Sequence, residues 1–73
     1  MGKYKIEDLK IGDIVYHLSN ASLIMVIIDL YPHTNEVECR WMTKSGDKLV
    51  DTFLVQELGK KSDLESSRIR LSI

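Results

Sequence analysis

His17, His33 and Cys39 are the soft-metal ligands of this chain, and their spacing sets the first limit on its chemistry. A structural zinc site takes four such ligands, usually paired across short loops, whereas no two of these lie within five residues of each other. Cys39 is the single cysteine, so it has no partner for an internal disulfide. As a nucleophile it would need an exposed, electropositive niche and a nearby base. Glu36 and Glu38 are spaced as a carboxylate pair on one face of a strand, with Arg40 next in the row, which is the pattern of a solvated face more than of an acid–base pair. Gly2, Gly12, Gly46 and Gly59 stand singly and build no phosphate-cradling loop. The expectation is a noncatalytic protein with no metal and no cofactor.

The elements that would position these residues are read from period two. Glu36-Val37-Glu38-Cys39-Arg40-Trp41 alternates charged and apolar side chains, as a strand does with one wet and one dry face. Its inward set is Val37, Cys39 and Trp41, so Cys39 reads as a small core hydrophobe and Trp41 as a core anchor in preference to a stacking groove. A first strand is expected over 14–18, with either Val15 and His17 or Ile14, Tyr16 and Leu18 turned inward. Ser19-Asn20-Ala21-Ser22 reads as a hairpin connection, and Leu23–Tyr31 as a β-branched second strand that is apolar on both faces. Pro32–Asn35 and Thr43–Asp47 supply turns, the latter with Gly46 at the left-handed position, and 48–54 forms a fourth strand. Val55-Gln56-Glu57-Leu58 reads as a single helical turn closed by Gly59. In the tail, 60–73, a fifth strand at Arg68–Ile73 is preferred to a short helix opened by Ser62-x-x-Glu65 or to disorder. No long amphipathic helix is expected, and the class is all-β: a small sandwich or barrel of about five antiparallel strands in one domain spanning 1–73.

Gly12-Asp13-Ile14-Val15, Ser19, Val26, Val37-x-Cys39-x-Trp41, Phe53 and Leu58 together resemble the YodC-like small bacterial proteins, a domain of unknown function. The likeness spans roughly 11–58, and Val37-x-Cys39-x-Trp41 is its most specific part. It implies a compact SH3-like β-barrel and no known activity. The chain departs from the pattern where Asn20-Ala21-Ser22 replaces Gly-Gly-Pro, where Ile24-Met25 replaces Met-Thr, and at His17, usually apolar in the family.

Ten basic and eleven acidic residues give a formal charge of −1 with the signs interleaved, so the positive stripe of a phosphate-binding protein is missing. The longest apolar run, Leu23–Ile28, is too short for a membrane span, and the N-terminus has no signal-peptide pattern. With a lone reduced cysteine this points to the cytoplasm. Folding buries only about 60% of the unfolded surface at this size, so a partner that covers more apolar area is expected.

The expected function is an interaction module, self-associating through the two-sided second strand or an exposed edge, or binding another protein. Candidate contact residues are Tyr16, Met25, Ile27, Tyr31 and Arg40, with Ile24, Val26 and Ile28 replacing Met25 and Ile27 if the core claims the latter. The alternative is a nucleic-acid-binding barrel associated with translation or transcription, which requires Tyr16, Arg40, Lys44, Lys48, Arg68 and Arg70 to converge on one face.

Overall fold

A computed structural model describes residues 4–64, and these form five antiparallel strands. They are β1 (Ile14–His17), β2 (Asn20–Tyr31), β3 (Glu36–Met42), β4 (Lys48–Leu54) and β5 (Leu58–Lys60), joined in the order β4-β3-β2-β1-β5. The all-β, five-stranded class read from the sequence is the one present. The hydrogen-bonded ladder is not closed, because β4 and β5 are its two ends. Side chains carry the contact between the two halves: the His17 ring of β1 meets the Phe53 ring of β4 edge-on at 5.4 Å, and Trp41 lies 6.1 Å from Phe53.

Alternation places Val37 and Cys39 in the core, fully buried with Val15, Met25, Ile27, Val55, Leu58 and, just ahead of β1, Leu9. Trp41 shares their face but is only half-buried, packed at the core margin beside Phe53. Of the two settings open for the first strand, the inward one is Val15 with His17, and Ile14 and Leu18 are exposed. On β2 the core claims Met25 and Ile27. They are 2% and 1% exposed, so the expectation that they line a contact surface is corrected: they are the centre of the hydrophobic interior.

β2 changes phase part-way. Ile27 pairs with Cys39, but Asp29 pairs with Glu38 and Leu30 with Val37, so one extra residue, Ile28, bulges between them. The bulge turns Leu30 toward the core and leaves Asp29 exposed, where its carboxylate accepts the N–H of Leu30 at 2.8 Å.

The turns follow their chemistry. Asn35 adopts φ 61° and Gly46 φ 92°, the left-handed values that Asn tolerates and glycine adopts without strain. Three boundaries differ from the sequence reading. The β1–β2 connection is only Leu18-Ser19, since His17 pairs with Asn20 and the strand already includes Asn20–Ser22. The turn at Val55–Glu57 is a 3-10 turn, as expected in place, but Gly59 does not close it. It lies inside β5, buried, opposite Tyr16. That short strand is the fifth one, and the strand expected at Arg68–Ile73 lies outside the described residues. Residues 61–64 are helical, in the segment where the capping-box alternative was placed.

Candidate functional site

The sheet has an inner face on the core and an outer face with no protein layer over it among the described residues. Register fixes what the outer face displays. Ile14 pairs with Val26, Val26 with Arg40 and Arg40 with Val50, which puts these four side chains in one row across four strands. Beside this row stand Tyr16 and Ile24, paired on β1 and β2, and Met42 and Lys48, paired on β3 and β4. On the other side lie Asp29, Glu38 and Thr52 in one row, then Tyr31, Glu36 and Leu54.

The patch is apolar and wet. Ile14 is 44% exposed, Ile24 37%, Met42 63% and Val50 50%. Scattered apolar residues are ordinary on a protein surface, but a contiguous set on a regular face marks a contact site. Its centre is charged: Arg40 is exposed between Val26 and Val50, and among the described residues no hydrogen bond or ion pair engages its guanidinium. Two positions along the same strand, Glu38 accepts the Tyr31 hydroxyl at 2.5 Å. That bond, followed by desolvation, raises the Tyr31 pKa from 10.0 to about 12. Two depressions border the face, one of about 440 Å³ by Asp13 and Lys61 and one of about 610 Å³ by Pro32 and His33, and both are open to solvent. Between them the face offers a platform and no enclosed ligand pocket.

Three expected contact residues, Tyr16, Tyr31 and Arg40, thus lie on one face. Ile24, Val26 and Ile28 flank the buried Met25 and Ile27 on β2. Sequence reasoning missed Ile14, Met42 and Val50, because single apolar residues in short strands carry no label of face until the register is known. Lys48 shares the outer face, Lys44 sits in the β3–β4 turn, and Arg68 and Arg70 lie outside the described residues. No family model, no curated protein and no solved structure matches this chain. Its own geometry therefore carries the functional argument.

The other candidates are placed by the same packing. Cys39 is fully buried, and burial first, then the Glu38 charge, raises its thiol from 9.0 to about 11. Such a thiol is a poor nucleophile at neutral pH. Among the described residues no three His, Cys, Asp or Glu side chains cluster as a metal site needs. One polar constellation escaped the sequence reading: His17 Nδ1 lies 2.7 Å from Ser19 Oγ and accepts the Ser19 N–H at 3.1 Å, while its Nε2 is 3.9 Å from Glu57. A Ser–His–Glu set invites a hydrolytic reading. Here the imidazole bonds only Ser19, in the two-residue turn that follows it, the Glu57 separation exceeds hydrogen-bond length, and the arrangement ties the hairpin down.

The β4 edge is occupied in a different way. Thr52 donates its N–H to Asp51 Oδ1 at 2.8 Å, and Leu54 donates to Glu57 Oε1 at 2.9 Å. Two edge-strand amides are thereby taken by carboxylates, a known device against unwanted strand pairing. No helix among the described residues is long and apolar enough to cross a membrane.

Proposed function

We propose that this protein is a noncatalytic interaction module of the cytoplasm whose contact surface is the outer face of its sheet. The observation that carries this reading is the row Ile14–Val26–Arg40–Val50, flanked by exposed Ile24 and Met42. Covering it removes apolar area from water at about 25 cal/mol per Å², and the unengaged Arg40 supplies a directional contact. The capped amides of Thr52 and Leu54 favour the face over the β4 edge as the site of association. The resemblance to the YodC-like proteins fits a small barrel-type scaffold and adds no activity. Nucleic-acid binding is the weaker reading, because Glu36 and Glu38 stand on the same face as Arg40 and Lys48 and dilute the positive field.

A photo-reactive amino acid placed at Val50, in cells, tests the reading against the same probe at Lys44 in the β3–β4 turn. Discrete protein adducts at 50 and none at 44 are expected. An adduct-free position 50, or an adduct set equal at both positions, counts against the outer face.

A further inference from the structure

We propose that the occupant of the outer face is a second copy of this chain, laid face to face and antiparallel so that Arg40 of each copy meets Glu38 of the other. This inference rests on the outer face being the contact surface and names what covers it. Arg40 presents five N–H donors amid apolar neighbours, and covering it without an acceptor would strand a charge in a dry layer. The cover must therefore bring a carboxylate to a point between Val26 and Val50. Glu38 is the next outward residue on β3, about 7 Å along the strand. Tyr31 holds one of its oxygens, and the other has no bond among the described residues.

A two-fold axis lying between the two sheets, across the strands at the level of Cys39, exchanges positions 38 and 40. Each face then supplies both halves of two equal ion pairs, which is the self-complementarity of an isologous interface. The same exchange sets Ile24 over Tyr31 of the second copy and Val26 over Asp29, the cross-strand partner of Glu38, so a second carboxylate stands beside the Glu38 that each Arg40 meets. A partner of other sequence would need this pattern by coincidence; a second copy has it by symmetry.

The size of the face sets the strength. Five strands at ~4.8 Å and seven residues at ~3.3 Å make a platform of roughly 19 by 23 Å, about half the ~800 Å² that each partner contributes to a standard interface. The dimer is accordingly weak, with a dissociation constant in the micromolar range.

Arg40→Glu and Glu38→Arg test it, each alone and mixed, by equilibrium sedimentation, with circular dichroism to verify folding. Wild type is expected to dimerise. Each single variant puts like charges at both contacts and weakens the dimer by about a hundredfold, while the equimolar mixture restores a one-to-one dimer, because both contacts again join opposite charges. Wild type that is monomeric at every attainable concentration overturns the proposal, as do single variants that dimerise like wild type or a mixture of folded variants that stays monomeric. Monomeric wild type with adducts to other proteins at position 50 would remove the second copy and leave the outer-face reading standing.

Discussion

Tyr16 and Gly59, opposite each other on β1 and β5, are matched by exclusion: a Cβ on Gly59 would sit 2.7 Å from Tyr16 Cζ. The glycine is required by its neighbour's ring and by no special backbone angle, and this fixes where the aromatic side chain of the outer face rests. Gly59→Ala is expected to cost about 1–3 kcal/mol through overpacking. In a Tyr16→Ala background the cost should fall toward zero, and urea unfolding of the four proteins of this cycle measures the coupling. An unchanged cost without the ring would mean that another contact excludes the methyl group.

Neighbouring positions on β2 should respond oppositely. Met25→Ala empties a fully buried site and is expected to lower stability by about 2–5 kcal/mol. Ile24→Ala, one residue away on the outer face, should cost under about 1 kcal/mol and weaken self-association instead. Thermal unfolding paired with sedimentation separates the two, and comparable stability losses at both positions would contradict the assigned faces.

Cys39 should be silent toward thiol reagents in the folded protein, since it is fully buried and its thiol is raised to about 11. Its labelling rate at neutral pH is expected to follow the opening of the domain and to rise with urea. Stoichiometric labelling within seconds in buffer would place the thiol elsewhere.

Alkali should unfold the protein early. Tyr4 is raised from 10.0 to about 12, first by its hydrogen bond to Asp63, Tyr31 likewise by Glu38, and Cys39 from 9.0 to about 11 by burial. In each case the folded state holds its proton more tightly than the unfolded chain. Their stabilisation is therefore complete below pH 9 and lost as pH rises from about 9 to 12. Urea midpoints measured across that window should fall, and a flat profile would show that these groups ionise equally in both states.

Removing the carboxylate at the β4 edge tests its role there. Asp51→Ala frees the Thr52 amide and is expected to cost about 0.5–1.5 kcal/mol. It should also speed formation of thioflavin-positive aggregates under mildly destabilising conditions, while Asp51→Asn, which keeps an acceptor, stays near wild type. Equal aggregation rates for all three would mean that the edge is protected by something else.

β3 and β4 were legible to the residue, because clear turn chemistry isolates 36–42 and 48–54 and charged residues mark the wet face of the former. β2 was legible in type and not in phase: with Ile24, Val26 and Ile28 as apolar as Met25 and Ile27, composition holds no sign of which face the core takes. Asn20–Ser22 looked like a loop because polar side chains are common in turns, yet here they continue the ladder beside a turn of two residues. β5 was missed because three residues containing a glycine carry no alternation, and pairing with β1 alone makes them a strand. The outer face was visible only in part, since it is assembled from single residues of four strands.

Ile28 acts on β2 as a frameshift acts on a message. Odd positions are inward up to Ile27, and beyond it the even position, Leu30, is inward. Excising that one residue would close the ladder with Asp29 still opposite Glu38 and Leu30 still opposite Val37, whereas drawing Ile28 into the ladder opposite Glu38 would carry the Asp29 carboxylate to the place beside Val37 that Leu30 now fills. A deletion of Ile28 is thus read in frame, whereas adding one residue a few positions onward would put the far end of the strand out of phase.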